Sequence, residues 1–146
     1  MTTYNIEQFD EIAGLVFARL YDSFPIPIYL DVGEYTGGKP LRISFSQFHE
    51  TNSKEADMAY YTISWLLESG YINAIPHNSG GFWKGFSDVV LTAKGLETMK
   101  ATPDSLTAPM GERIKDAVKQ DGREVARSLV SQALSIGLAL GVNALK

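Results

Sequence analysis

The segment from Thr62 to Leu91 constrains the fold more than any other part of the chain. A helical pattern ends at Gly70, the position after a helix where a left-handed backbone favours glycine. Two strand patterns follow, Tyr71–Ile75 and Phe82–Leu91, and the six residues between them, PHNSGG, favour a turn. The sequence therefore predicts a helix that runs directly into an antiparallel hairpin.

The patterns around this segment complete a small α+β domain. In chain order they first predict a helix (6–24), an extended segment (26–32) and a loop (33–40). A short helix-like stretch then follows Leu41–Phe45 and ends near Glu50. After it come the helix that ends at Gly70, the hairpin, and a short helix from Thr92 to about Lys100. Asn52 and Glu55 have the spacing of a capping box, so we expect Asn52 to cap the helix that ends at Gly70.

This order resembles the winged helix-turn-helix domain of bacterial regulators. The resemblance rests on TISWLLESGYI at 62–72, where a helix passes through glycine into a strand, and on VVLTAKGL at 89–96, where a strand leaves through Leu-Thr-x-x-Gly into a helix. It covers about residues 5–100 and implies a recognition helix followed by a small antiparallel wing hairpin. We expect a winged-helix domain at 1–105, although a fold alone does not fix an activity.

Residues 106–146 are predicted to form a C-terminal helical extension. A helix from Pro109 to about Gln120 is followed by a break at Gly122 and by a nearly uncharged helix from 125 to 145. The second helix is too polar to span a membrane, so its apolar face is expected to be buried against the domain or in a homodimer. The candidate interface residues on this helix are Leu129, Ala133, Ile136, Gly137, Leu140 and Gly141, of which the two glycines permit a close helix approach.

Charge and composition limit the functions open to the chain. Residues 1–105 carry seven basic and thirteen acidic residues, a net charge of −6, whereas residues 106–146 carry +2. DNA binding draws most of its affinity from phosphate neutralisation, so this balance opposes it. The chain has no cysteine, which excludes thiolate chemistry and disulfides, and its first residues, MTTYNIEQFDE, show no signal-peptide pattern. We therefore expect a cytoplasmic protein.

No residue cluster predicts a catalytic or metal site. The loop at 33–39 matches the spacing Gly-x4-Gly-Lys of a phosphate-binding loop, but Pro40 stands where a hydroxyl is needed for magnesium. His49 and His77 lack partners at metal-ligand spacing, and Ser79, His77 and Asp88 lack the spacing of a nucleophilic triad. The sequence predicts no enzyme activity, no cofactor and no metal.

The candidate nucleic-acid contacts lie on the presumed recognition helix and on the wing. They are Arg42, Lys54, Tyr61, Asn78, Ser79 and Lys84. Lys54 stands beside two acids, Glu55 and Asp57, which a phosphate backbone would repel. Trp65 and Trp83 are candidate interface residues, because aromatic residues in excess of the core favour protein contacts; the alternative is that they cover the edge of the core.

The sequence therefore predicts a non-enzymatic winged-helix module that acts through protein–protein contact and homo-oligomerisation. The alternative is a DNA-binding transcriptional regulator of the bacterial winged-helix type. The expected partner is a second copy of the chain or another protein, with no membrane span.

Overall fold

The computed structural model describes residues 4–102, 108–120 and 122–144, and for residues 141–144 it describes the backbone alone. The described elements make an α+β fold. They are α1 (Tyr4–Ser23), β1 (Ile28–Asp31), a 3-10 turn (Val32–Tyr35), β2 (Arg42–Ser46), β3 (His49–Asn52), α2 (Lys54–Glu68), β4 (Ile72–Ser79), β5 (Phe82–Leu91), α3 (Ala93–Lys100), α4 (Met110–Lys119) and α5 (Arg123–Ala144).

The strands form two separate antiparallel sheets. β5 lies between β1 and β4 in a three-stranded sheet, and β2 pairs with β3 in a two-stranded hairpin. In the larger sheet Leu30 of β1 and Pro76 of β4 both face Phe86 of β5. Because Phe86 and Leu30 are fully buried, the middle of this sheet forms one wall of the core.

The predicted end of α2 at Gly70 is confirmed. Gly70 has a φ of +84°, a backbone conformation that glycine adopts without the steric cost of a Cβ. The amide of Tyr71 donates to the Leu66 carbonyl at 2.9 Å, and the amide of Gly70 donates to the Leu67 carbonyl at 3.1 Å. This is the Schellman pattern, which ends the helix and sets the direction of β4.

The helix-like stretch predicted to end near Glu50 is wrong. Residues 42–46 and 49–52 form the β2–β3 hairpin, with Ile43 opposite Thr51 and Ser44 opposite Glu50. The reason is the alternation of polar and apolar residues in RISFS, which has the two-residue period of a strand. The wing turn is also shorter than predicted: β4 continues to Ser79, and the turn consists of Gly80 and Gly81, both with positive φ.

The two C-terminal helices belong to the same core as the rest of the chain. Met110 and Ile114 of α4, and Val130 and Ala133 of α5, are fully buried. A Cβ on Gly14 of α1 would lie 3.2 Å from the Val130 side chain, so α1 and α5 approach closely at that point. The Arg127 guanidinium of α5 also donates to the Glu11 carboxylate of α1 at 3.0 Å. The apolar face of α5 was expected to be buried either against the domain or in a homodimer, and in the structure it is buried against the domain.

This packing assigns most of the candidate interface residues of α5 to internal contacts. Leu129 and Ala133 lie in the core, and Ile136 packs against it. Gly137 lies against the ring of Tyr71, where a Cβ would come within 2.3 Å of the ring, so its small size serves an internal contact. Leu140 is half-buried, and Gly141 lies in the part of α5 for which only the backbone is described.

A real break separates the two C-terminal helices. α4 ends at Lys119, α5 begins at Arg123, and the amide of Gly122 donates to the Ala117 carbonyl at 2.8 Å. The predicted cap at Asp121 lies outside the described residues. No helix in the described part of the chain is long and apolar enough to cross a membrane.

We predict that Leu129→Ala lowers the free energy of unfolding by about 2–5 kcal/mol, because it leaves a cavity where α5 meets the core. The matched control is Leu138→Ala on the same helix, where the side chain is 66% exposed and the expected change is within about 0.5 kcal/mol. Urea denaturation followed by circular dichroism measures both. Equal effects of the two substitutions would contradict the assignment of α5 to the core.

Candidate interaction surface

Asn52 joins the β2–β3 hairpin to the tip of the wing. Its amide nitrogen donates to the Gly81 carbonyl at 2.9 Å, and its amide oxygen accepts from the Trp83 backbone amide at 3.0 Å. The expectation that Asn52 caps α2 is wrong. Ser53 caps the helix, with its hydroxyl accepting from the Ala56 amide at 3.0 Å, so Asn52 is left to bridge β3 and β5.

Trp83 fixes the wing against α2. Its indole Nε1 donates to the Asp57 carboxylate at 2.7 Å, and its ring stacks on Tyr60 with 3.8 Å between centroids and 11° between planes. Tyr60 also stacks on Phe86 at 5.2 Å. Trp83 is therefore half-buried within an aromatic stack that covers the edge of the core, which was the alternative to an interface role.

Trp65 occupies a more open position. Its ring makes an edge-to-face contact with Phe9 at 5.3 Å and lies 6.2 Å from the ring of Tyr71, yet its side chain is 42% exposed. Trp65 thus covers the core on one side and faces solvent on the other.

The candidate nucleic-acid contacts lie on β2, on α2 and on the β4–β5 hairpin. The Arg42 guanidinium lies 4.1 Å from the centroid of the Phe82 ring, and the Lys54 ammonium lies 5.7 Å from the centroid of Tyr4. Asn78, Ser79 and Lys84 are exposed at the wing tip, and Tyr61 is exposed on α2. Asp57 follows Lys54 by one helical turn and accepts a hydrogen bond from Trp83, the neighbour of Lys84.

The β2–β3 hairpin carries the exposed apolar residues that sequence reasoning missed. Phe48 is 84% exposed, Phe45 is 65% exposed and Ile43 is 48% exposed. The signal that could have found them is the same alternation that makes β2 a strand, since it places Ile43 and Phe45 on one face of a short hairpin. Apolar residues that cluster on the surface in this way favour binding sites.

The outer edge of β2 is open for pairing. Of the strands that the structure describes, β3 alone pairs with β2, and all five residues of β2 are exposed. Edge strands are usually protected by short length, proline or lysine. β1 has four residues and β4 contains Pro76. β2 has five residues with Arg42 at its start, and its pairing with β3 is irregular between Ser44 and Ser46, but it contains neither proline nor lysine.

The histidines and the glycine-rich loop make local contacts. Nε2 of His77 lies 2.7 Å from the Ser87 hydroxyl rather than near Ser79, and Nδ1 of His49 lies 2.7 Å from the Ser46 hydroxyl. Both pairs are exposed. The loop at 33–39 begins with a 3-10 turn capped by Asp31 and leads into a strand, whereas a phosphate-binding loop leads directly into a helix. Within the described residues, no group of three metal-ligating side chains occurs.

Comparisons with protein-family models, with curated proteins and with solved structures find no match to this chain. The arguments on function that follow therefore rest on the geometry of the chain itself.

We predict that Asn52→Ala loosens the hairpin, because it removes two hydrogen bonds to the wing and leaves two backbone groups without partners. The expected loss is about 1–2 kcal/mol of unfolding free energy. Amide hydrogen exchange in β2 and β3 should also become faster. Asn73→Ala, at an exposed position on β4, is the control and should change neither quantity. Unchanged exchange in the hairpin of Asn52→Ala would show that Asn52 does not anchor it.

Proposed function

We propose that this chain is a non-enzymatic winged-helix module that acts through protein contact and pairs with a second copy of itself through the β2 edge. The observation that carries the proposal is the open edge of β2 with Ile43 and Phe45 exposed beside it. An extended strand can add to such an edge through main-chain hydrogen bonds, and the alternate side chains then supply specificity.

The winged-helix part of the proposal is supported by the order of the elements. α1, β1, α2, β4, β5 and α3 follow each other in the layout that the sequence resembles, and β5 lies between β1 and β4. One part departs from that layout: the 3-10 turn and the β2–β3 hairpin occupy the place of the second helix. That helix would be the first of the helix-turn-helix pair, which crosses the DNA backbone, so its replacement favours protein contact.

A second copy is the partner that fits the β2 edge, because β2 is complementary to itself. If two β2 strands pair antiparallel with Ser44 opposite Ser44, each Ile43 faces the Phe45 of the other copy. Apolar pairs directly opposite each other stabilise a sheet by about 0.2–1 kcal/mol each. Arg42, the sole charged residue of β2, then lies opposite Ser46, so no like charges meet.

The anchoring of the hairpin also supports a contact role. The bonds from Asn52 to Gly81 and Trp83 hold the hairpin in place before a partner arrives. A surface that is already ordered loses less conformational entropy on binding than a flexible loop does. The charges point the same way, since acidic residues flank Lys54 and give the α2 surface little attraction for phosphate.

We predict that Ile43→Glu/Phe45→Glu abolishes self-association, because paired β2 strands would then bring carboxylates opposite each other. Ile43→Lys/Phe45→Glu should restore it, since each lysine would face a glutamate of the other copy. Multi-angle light scattering across a range of protein concentrations measures the mass, which for a pair is twice the chain mass of 16.0 kDa.

The control for this pair of variants is Leu138→Glu, which places one glutamate on the exposed face of α5. It should leave the mass unchanged. A wild-type chain that stays monomeric at the highest attainable concentration would contradict self-pairing. Loss of the pair in Leu138→Glu alone would assign the contact to α5 instead.

The DNA-binding alternative has its own measurement. We expect no binding to random duplex DNA in fluorescence anisotropy at about 50 mM salt, where electrostatic attraction is strong. Lys54→Glu/Lys84→Glu should then make no difference. Binding by the wild-type chain that weakens steeply with added salt, and that this double substitution removes, would favour the regulator.

A further inference from the structure

A cleft on another part of the surface has the features of a small-molecule site. It lies between α1, the 3-10 turn, the start of α2 and the junction of α4 with α5, and none of its lining residues belongs to β2, β3 or the wing. Its volume is about 280 Å³. Ligand pockets usually range upward from about 300 Å³, so the cleft suits a small ligand.

The floor of the cleft is apolar. Ile12 and Leu15 come from α1, Met58 from α2, Val118 from α4 and Ala126 from α5. Leu15 is 39% exposed, although it lies beside buried neighbours. Binding of an apolar ligand on this floor would be favourable, because it would remove the apolar surface of the ligand and of Leu15 from water.

The rim of the cleft carries one carboxylate that has no partner among the residues that the structure describes. The Glu11 carboxylate lies 3.0 Å from the Arg127 guanidinium, and the Glu34 carboxylate lies 3.6 Å from the Arg19 guanidinium. Glu55 is half-buried, and its side chain makes no hydrogen bond or ion pair with any residue that the structure describes.

A cation from outside is the group that this rim accommodates. Arg123 also lines the cleft, but it is already engaged in an interaction within the chain. Two of the three carboxylates that line the cleft already have arginine partners, so a bound cation would pair with the third, Glu55. A half-buried charge is stabilised when it is paired, and the pairing is stronger where a ligand displaces water from the cleft.

We propose that this cleft binds a small organic ammonium ion, with its hydrocarbon body on the floor formed by Leu15, Met58 and Val118 and its ammonium group on Glu55. The site is separate from the β2 edge, so binding there does not depend on self-pairing of the chain.

A charge series of one ligand shape tests the proposal. Isothermal titration calorimetry with the full chain compares 4-phenylbutylamine with its neutral analogue 4-phenylbutanol and its anionic analogue 4-phenylbutanoate. We expect the amine to bind about tenfold more tightly than the alcohol, since a hydrogen bond between two charged groups is stronger than one that involves a neutral hydroxyl. The carboxylate should bind most weakly.

Matched variants and a local probe place the site. Glu55→Gln should weaken amine binding about tenfold and leave the alcohol unchanged, whereas Glu50→Gln, at an exposed position on β3, should leave both unchanged. In methyl NMR the amine should shift the signal of Met58. The signals of Met99 and Met110, which lie elsewhere in the core, should not move. Equal binding of amine and alcohol, full amine binding by Glu55→Gln, or an unmoved Met58 signal would each overturn the proposal.

Discussion

The side chain of Tyr71 is the contact on which the packing of the whole chain depends. Its ring touches one residue from each of four helices: Phe17 on α1, Trp65 on α2, Lys94 on α3 and Gly137 on α5. Its hydroxyl donates to the Leu134 carbonyl on α5 at 3.0 Å, and burial raises the pKa of that hydroxyl above its ordinary value. The residue after Gly70 thus joins the C-terminal helices to the sheet, and α5 becomes a wall of the core.

Because α5 is buried in the core, the proposed contact with a second copy is made by a strand edge and not by a helix. Three exposed apolar residues, Ile43, Phe45 and Phe48, lie in the β2–β3 hairpin, which Asn52 holds against the wing. A strand edge binds through main-chain groups that every sequence possesses, so its specificity rests on Ile43 and Phe45 and on the absence of protecting residues. The proposed ammonium site lies apart from this edge and is lined by residues of five elements, α1, the 3-10 turn, α2, α4 and α5.

Local signals predicted the parts of the fold that local chemistry determines. Gly70 ends α2, and Thr92 caps α3 with its hydroxyl accepting from the Gly95 amide, both as the sequence indicates. The β2–β3 hairpin was not predicted because its strands have only five and four residues, so the two-residue period repeats too few times to be recognised. The sequence did not predict whether the domain or a second copy covers α5, because periodicity identifies an apolar face without identifying what buries it. The cleft could not be predicted, since Leu15, Glu55 and Val118 are brought together only by the tertiary fold.

The central claim is that two chains pair through β2 with Ser44 at the centre, and cysteine cross-linking tests it most directly. The chain has no cysteine, so Ser44→Cys introduces a single thiol. Residues directly opposite each other in an antiparallel pair have Cα atoms about 4.5–5.5 Å apart, within the range that a disulfide spans. Under mild oxidation Ser44→Cys should yield a covalent dimer, while Ser131→Cys on the exposed face of α5 should not. A covalent dimer from Ser131→Cys, with Ser44→Cys remaining monomeric, would contradict the account.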